Sequence, residues 1–490
     1  SSLVEMETSL CYIALGGNVG DRLRFLSNGL RRLIALEGVR MCRTSSLYST
    51  APQYVTDQPP FLNAVAEVEL AAARVSDLPG LMADLKAIED DLGRIQGGQR
   101  YGPRVIDLDI VAVGDLVFSR DSGRYPLEVP HARMHERDFV LVPMLELCPG
   151  WRHPSREGNP TVQQMVDALK SGRTTAGDTN VTRPPDPSLP PWPSQVFPAA
   201  GGLHGRADGP LWPRGERTLV MGILNATPDS FSDGGDHLNV ADALAAAREM
   251  VKTGAHILDV GGESTRPGAA EVPVEEEIGR VVPVIRAIRK EGLDVTISVD
   301  TRKADVARAA VVAGADWIND ISGGEFDSGM LPAAAELMAP IILMHMKGTP
   351  QTMNSMAKYD SVLEEVAGHL VKRRKAAEEA GIPLWNIALD PGIGFAKNMT
   401  YNLQLLRECG TLVRHLQPSP VLLSSSRKRF LGTILNEPDP KRRQFGNAAT
   451  TAAAIAGGAD IVRVHEVREM AQTALVCDYI HRGLDAAAVG

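Results

Sequence analysis

Apolar positions recur along this chain in two different rhythms. In the first third, Leu10–Leu15 is an apolar run, after which Asp21 opens a helix with Leu23, Leu26, Leu30 and Leu33 on one face. Thr44–Tyr48 and Leu62–Leu70 have strand character, the second setting Ala64, Ala66 and Val68 opposite Val65 and Glu67. Asp77–Leu92 is again helical, with Leu78, Leu81, Leu85, Ile88 and Leu92 inward, and Val105–Val113 returns as a strand. The order strand, helix, strand, strand, helix, strand predicts a ferredoxin-like α+β domain, an antiparallel-containing sheet with helices on one face.

The second rhythm is shorter. Apolar runs at Leu219–Leu224, Ile257–Val260, Val295–Val299, Trp317–Ile321, Ile341–Met344, Ile387–Leu389, Val421–Leu423 and Ile461–Val464 alternate with helical patterns. One stripe is Val240, Leu244, Ala247 and Val251; another is Ile278, Val281, Val282, Ile285 and Ile288. Eight strands interleaved with helices predict an α/β fold, a (β/α)8 TIM barrel, with a doubly wound open sheet as the alternative. The strand ends favour the barrel. Asn225, Asp259, Asp300, Asn319 and Asp320, His345, Asp390, Ser424–Lys428, and Arg463 with His465 follow the runs directly, and a barrel gathers such ends at one mouth.

Nine of the chain's 33 prolines crowd the stretch Pro184–Pro213 between the two regions. Proline fixes φ and lacks a donor, so this segment predicts an extended linker; a docking motif for a proline-recognising module is the competing reading. The expected division is 9–170, a linker at 171–215, and 216–490. A length of 490 residues agrees with more than one domain. The net charge of −9 argues against generic binding to nucleic acid or to an anionic membrane, while leaving room for local basic pockets. No apolar run approaches the roughly 20 residues that span a bilayer. Five scattered cysteines without a CxxC pair argue against a disulfide framework or thiolate zinc site and suit a reducing intracellular compartment. Ser1–Ser9 shows no signal-peptide pattern, so the expected location is the cytoplasm, or the mitochondrial matrix after loss of a presequence.

In Arg104-Val-Ile-Asp-Leu-Asp-Ile, Asp107 and Asp109 lie two residues apart on a strand and so share a face, with Leu108 and Ile110 on the other. A solvated sheet face is one reading; a magnesium site is the other, because Mg²⁺ takes carboxylates together with substrate phosphates. Arg94, Arg100, Arg104, His131 and Arg137 nearby favour the second, as cations suited to a polyphosphate. Gln96-Gly-Gly-Gln supplies a loop able to close over the pair. Together with Ala14-Leu-Gly-Gly-Asn-Val-Gly-Asp, Asp57-Gln-Pro-Pro-Phe-Leu-Asn63, Glu89-x-x-x-Gly-Arg94, Tyr101-Gly-Pro-Arg-x-Ile-Asp-Leu-Asp109 and Val129-Pro-His131, this region resembles 6-hydroxymethyl-7,8-dihydropterin pyrophosphokinase over roughly Leu10–Leu169. The resemblance implies transfer of pyrophosphate from ATP to the pterin, with two Mg²⁺ ions held by Asp107 and Asp109. It implies an ATP site of Arg94, Arg100, Arg104, Ile110, His131 and Arg137, with Arg94 and Arg104 catalytic. The implied pterin site is Gln53, Phe61, Asn63 and Phe139. Gly17 departs from the family's usual Gly-Ser-Asn turn.

In the second region, Gly222–Gly235 and Gly261–Gly268 run from strands into glycine-ended polar loops of the kind that act as lids. A carboxylate and an amide at strand ends match the donor and acceptor edge of a 2-amino-4-oxo pterin, and Lys428, Arg463 and His465 give the mouth a cationic side. A lone strand-end Asp is as readily a helix cap, and His345 a satisfied core histidine. Met221–Gly235, Asp259–Gly268, Ser298-Val-Asp-Thr-Arg302, Asn319-Asp-Ile-Ser-Gly323, Met344-His-Met-Lys-Gly348, Asp390-Pro-Gly-Ile-Gly-Phe395, Ser426-Arg-Lys428 and Arg463-Val-His465 resemble dihydropteroate synthase, from Leu219 to about the C-terminus. That family joins the pterin pyrophosphate to p-aminobenzoate and is the sulfonamide target. The resemblance implies pterin binding by Asp300, Asn319, Asp390, Phe395 and Lys428, and pyrophosphate with one Mg²⁺ at Asn225, Arg463 and His465. It implies p-aminobenzoate binding by Phe231, Thr265, Arg266 and Ser426, with Asp233 and Lys428 catalytic. Ser424 departs from a glycine common before Ser-Arg-Lys.

The expected function is therefore two consecutive steps of folate biosynthesis, with small-molecule substrates and a homodimer or larger assembly through the barrel. A pterin-binding methyltransferase barrel and a non-catalytic scaffold as first domain are the alternatives. Ser426-Arg-Lys428 with Arg463-x-His465 argues against one, and intact Arg104, Asp107 and Asp109 against the other.

Overall fold

A computed structural model describes residues 8–95, 101–173, 193–198, 211–227, 240–264, 270–349, 351–353 and 355–483. The chain divides into two compact units, principally Ser1–Phe197 in one, and Pro213–Ile382 with Asn386–Gly490 in the other. Among the described residues no helix is long and apolar enough to cross a membrane.

The first unit runs β1 (Ser9–Gly17), α1 (Arg22–Ile34), β2 (Val39–Thr44), β3 (Leu47–Thr50), β4 (Phe61–Leu70), α2 (Ala72–Ser76), α3 (Leu78–Asp91) and β5 (Asp107–Val113). Asp21 caps α1 by accepting from the Arg24 amide, and Leu26, Leu30 and Leu33 are buried as their spacing requires. The single strand expected at Thr44–Tyr48 is two. Ser45 and Ser46 interrupt it: the Ser45 hydroxyl accepts from the Val65 amide (2.9 Å), and the Ser46 amide donates to Glu146 (2.6 Å). Strand order β5-β1-β4-β3, antiparallel throughout, is the ferredoxin-like arrangement.

Helices cover both faces of this sheet, not one. Leu30, Leu81 and Leu85 pack with Ile13, Ile106 and Leu108 on the first face. α4 (Asp138–Leu147) and α5 (Val162–Arg173) belong with Tyr12, Val65 and Val111 on the second. Those three side chains leave that face apolar, so it too needs a cover. Two short strands, β6 (Phe118–Arg120) and β7 (Leu127–Val129), precede α4. Part of the expected linker is also sheet. β8 (Ser194–Pro198) pairs antiparallel with β3, Leu47 opposite Val196, and β9 (Leu211–Pro213) follows it in the strand order. Val196 and Phe197 supply buried apolar surface, and proline falls only at the strand's last residue, Pro198.

In the second unit, β10 (Leu219–Asn225), β11 (Ile257–Gly261), β12 (Thr296–Asp300), β13 (Trp317–Asp320), β14 (Ile341–Met344), β15 (Ile387–Asp390), β16 (Leu422–Leu423) and β17 (Ile461–Val464) are parallel neighbours in the order β15-β14-β13-β12-β11-β10-β17-β16. A single parallel bridge, Leu389 with Val421, brings β15 to β16 and makes the sheet a nearly closed eight-stranded barrel. That closure excludes the open sheet. Helices such as Val274–Lys290 bury Val281, Ile285 and Ile288 against Val260, Ile297 and Val299.

Candidate active sites

Period-two alternation along β5 decides which side chains meet in the first unit. Ile106, Leu108 and Ile110 are buried in the core, while Asp107 and Asp109 line a cavity of about 280 Å³. The side chain of Ile110 therefore lies in the core, which leaves its backbone, on a strand at the end of the sheet order, as what it can present to ATP. Gln53, Phe61, Asn63 and Phe139 line the same space. Asn63 is fixed by its bond to the Thr50 hydroxyl (2.6 Å), and Gln53 by one to Asp138 (2.6 Å). The Arg104 guanidinium lies 5.5 Å from the Phe61 ring centre, and that of Arg137 lies 5.6 Å from the Phe139 ring.

Cations crowd the carboxylate pair. Arg94 bonds Asp107 and the buried Glu89, and Arg104 holds the other oxygen of Asp107 at 2.6 Å. Burial alone would raise the Asp107 pKa, but Lys86, Arg104 and Arg94 outweigh it and hold the carboxyl at about 2. His131 meets Arg137 at 3.2 Å and accepts from the Arg133 amide through Nδ1 (3.1 Å); burial, with help from Arg137, lowers its pKa. Arg100 lies outside the described residues. Lys86, 3.6 Å from Asp109, is the participant that motif reading overlooked; its signal was the i,i+3 spacing to Glu89. Gly17 has a structural counterpart. A Cβ there would stand 2.4 Å from the Val105 carbonyl oxygen, so glycine lets the segment carrying Arg104 lie against β1.

In the barrel, Arg463 on β17 reaches across to two other strands. Its Nε donates to Asp259 at 2.5 Å and its Nη2 to Asp300 at 2.6 Å, while Asn319 donates to the same Asp259 oxygen at 2.9 Å. Burial pushes the Asp300 carboxyl up to about 7 against the pull of Arg463. It likewise raises Asp390 to about 6, although the Gly392 amide donates to that carboxylate at 2.7 Å. The Lys428 ammonium sits 3.8 Å over the Phe395 ring, and burial with Arg463 nearby lowers it to about 8. Ser426 shares a 2.8 Å hydrogen bond with Nδ1 of His465. Asn225 ends β10, half-buried. Phe231, Asp233, Thr265 and Arg266 lie outside the described residues.

Not every polar strand end belongs to this convergence. Asp320 accepts from Ser322 and from the Gly324 amide, which makes it the organiser of its own loop. His345 is buried and meets the Lys397 ammonium at 3.0 Å, a satisfied core histidine. Lys397 went unnoticed in the sequence. It donates to the Gly392 and Phe395 carbonyls (3.0 Å each) and ties down the loop that carries Asp390 and Phe395. Ser424 donates to the Arg463 carbonyl at 2.8 Å, so the departure from glycine anchors β17.

Two family profiles match the chain. "7,8-dihydro-6-hydroxymethylpterin-pyrophosphokinase" covers residues 12–149 and "Pterin binding enzyme" covers 221–465. The mitochondrial folate synthesis bifunctional protein of Pisum sativum is 39% identical over 98% of this chain and 91% of its own length. Dihydropteroate synthase of Synechocystis sp. is 50% identical over 56% of this chain and 93% of that protein. Among solved structures, wild-type HPPK-DHPS of Plasmodium falciparum with pteroate aligns over 97% of this chain and 98% of its own, with a TM-score of 0.76 and 20% identity, a likeness of fold.

Proposed function

Because the chain belongs to the family of bifunctional folate-synthesis proteins, we propose that the Asp107–Asp109 cavity carries its first reaction and the strand ends around Asp300 and Arg463 its second. The first reaction pyrophosphorylates 6-hydroxymethyl-7,8-dihydropterin at the expense of ATP; the second condenses that product with p-aminobenzoate to dihydropteroate and releases pyrophosphate. The family uses ATP and Mg²⁺.

In the first unit the pterin ring stacks between Phe61 and Phe139, with Asn63 and Gln53 on its polar edge, so that its hydroxymethyl group faces β5. Arg94, Arg104, His131 and Arg137 hold the polyphosphate; Arg94 and Arg104 exchange a carboxylate for phosphate oxygens as it arrives. The paired oxygens of Asp107 and Asp109 fit a hard cation, and we assign them two Mg²⁺ ions, which supply charge neutralisation on the transferring group. A ring-sized space bordered on one side by aromatic rings and on the other by two carboxylates among arginines is the observation that carries this reading.

In the barrel, Asp300, Asn319 and Asp390 read the pterin edge, and Lys428 with Phe395 lies against its face. Arg463 and His465 receive the pyrophosphate as its C–O bond breaks and the amine nitrogen of p-aminobenzoate bonds the same carbon, losing a proton; Asn225 would hold one Mg²⁺, which would supply further charge neutralisation there. Phe231, Asp233, Thr265 and Arg266 are assigned to the p-aminobenzoate side from their motifs, beside Ser426. Exposed Leu475, Val476 and Ile480 on the last helix support self-association through the barrel, which sedimentation tests directly. The Pisum relative is named mitochondrial, and fractionation of source cells would separate matrix from cytoplasm.

The deciding experiment supplies hydroxymethyldihydropterin, ATP, Mg²⁺ and p-aminobenzoate and follows dihydropteroate. Formation of product supports both assignments; no product from folded protein overturns the reading.

A further inference from the structure

Against the carboxylate pair of the first unit lies a lysine that no motif assigns. The Lys86 ammonium on α3 donates to Glu89 at 2.7 Å and to the Leu108 carbonyl at 3.0 Å, and these bonds fix its place. From there it stands 3.8 Å from Asp107 and 3.6 Å from Asp109. Arg94 pairs with Glu89 and Asp107, and Arg104 with Asp107. Three carboxylates and three cations thus form one ion-paired cluster, with no net charge when all six are ionised.

The three cations differ in what they are free to do. All three line the cavity, but the planar forks of the two guanidiniums suit phosphate oxygens as alternative partners once nucleotide enters. Lys86 shares Glu89 with Arg94 but is also bound to the Leu108 carbonyl, a backbone partner on β5 itself, and that bond keeps it in place. A divalent cation entering the neutral cluster alone would leave a partly buried surplus of positive charge, which is costly to hold away from water. Arriving with the polyphosphate, the same cation brings its own compensation.

We propose that Lys86 is a positioning residue that keeps the charge of the carboxylate pair compensated in the free enzyme, so that divalent metal is taken up only together with the nucleotide. The proposal rests on Asp107 and Asp109 being the metal ligands.

Mn²⁺ binding, measured by electron paramagnetic resonance with and without the non-hydrolysable α,β-methylene analogue of ATP, tests it on the full chain. Wild type should bind Mn²⁺ weakly alone and tightly with the analogue. Lys86→Met and Lys86→Gln should bind Mn²⁺ alone about tenfold or more tightly than wild type, the scale expected for deleting a charge some 4 Å from the ligands. Lys86→Arg should behave as wild type. Unchanged free-metal affinity in the two neutral variants, or loss of their analogue-dependent binding, would overturn the role of Lys86. Equally tight wild-type binding with and without analogue would do the same. Asp109→Ala separates the two layers: it should lose analogue-dependent Mn²⁺ in every background. If that binding persists, the metal assignment itself fails, and the inference with it.

Discussion

The two sites of this chain use aspartate in opposite ways. In the first unit Asp107 lies among Lys86, Arg94 and Arg104 and is held at about 2, although burial by itself works against its charge. In the barrel burial wins: it lifts Asp390 to about 6 against the pull of Lys428, Arg463 and Lys397, and Asp300 to about 7 against that of Arg463. The linkage signs follow. For Asp107 the unfolded chain binds the proton more readily, so its contribution to stability is present above the ordinary carboxylate pKa and lost as pH falls through about 2. For Asp390 the folded chain binds the proton more readily, so stability declines as pH rises from the ordinary carboxylate range through about 6. A carboxylate kept ionised suits a metal and a polyphosphate. One kept at the edge of protonation suits directional hydrogen bonds to a neutral heterocycle in an enclosed space.

The comparison breaks most sharply if the carboxylates are exchanged for groups of the wrong kind. Asp109→Ala should reduce pyrophosphoryl transfer about a thousandfold, by analogy with the loss of one electrostatic stabiliser of a developing charge. Condensation with p-aminobenzoate should continue unchanged when pterin pyrophosphate is supplied. Separate assays of the two steps check this. Loss of both together would show that the two sites are energetically coupled.

Asp390→Asn asks the converse question. The amide still offers an oxygen to the Gly392 amide, which now meets Asp390 at 2.7 Å, but brings no charge into the interior. Pterin affinity of the barrel should fall on the order of a hundredfold. Stability of the barrel at pH 8 should rise by roughly 1–3 kcal/mol, because a raised carboxyl pKa marks a charge that folding disfavours. Calorimetry at pH 8 and pH 5 gives the comparison, and the gain should shrink at the lower pH. A variant less stable at pH 8 would show that the carboxylate is better compensated than its burial implies.

How far these sites were legible in sequence depended on how local their logic was. Asp107 and Asp109 share a face because strands alternate, and the same rule put the Ile110 side chain in the core. The barrel strands and their polar ends could be read because each apolar run is short and bounded. Long-range partnerships were not legible. Nothing in the sequence said that Arg463 would span Asp259 and Asp300, that Lys397 would meet His345, or that Lys86 would lie beside Asp109. Strand Ser194–Pro198 was hidden by the prolines around it, although within the strand proline occupies only the last position. Among the polar strand ends, Asp320 organises its own loop and His345 is the core histidine that the sequence left open as a reading.

The pH dependence of the second reaction sharpens the comparison from the cationic side. Lys428 is lowered to about 8 by burial and Arg463, so it loses its proton as pH rises through that value. Asp390 and Asp300, at about 6 and about 7, gain theirs on the way down. The kcat/KM for pterin pyrophosphate should therefore be bell-shaped, falling on either side of a maximum between those values. Lys428→Arg should lower the maximum yet carry the alkaline limb out of range, because a guanidinium does not titrate there. An alkaline limb unmoved in that variant would assign it to another group.

The smallest expected effect concerns Gly17, and it tests whether the first site is built through backbone contact. The Cβ of an alanine there would meet the Val105 carbonyl oxygen at 2.4 Å and its carbon at 3.1 Å, both backbone atoms, so the neighbouring segment must shift. That segment is tied to β1 by two 2.9 Å bonds, Asn18 amide to Arg104 carbonyl and Arg104 amide to the Asn18 side chain, and it carries the guanidinium that grips Asp107. Overpacking of this kind costs about 1–3 kcal/mol, part of which falls on the placement of Arg104. Gly17→Ala should accordingly lower kcat/KM for ATP roughly threefold to tenfold while leaving the second reaction untouched. The double variant with Arg104→Ala decides the route: if Gly17 acts by placing that guanidinium, the loss should vanish once the guanidinium is gone. An equal loss in both backgrounds would mean that Gly17 supports the cavity in some other way.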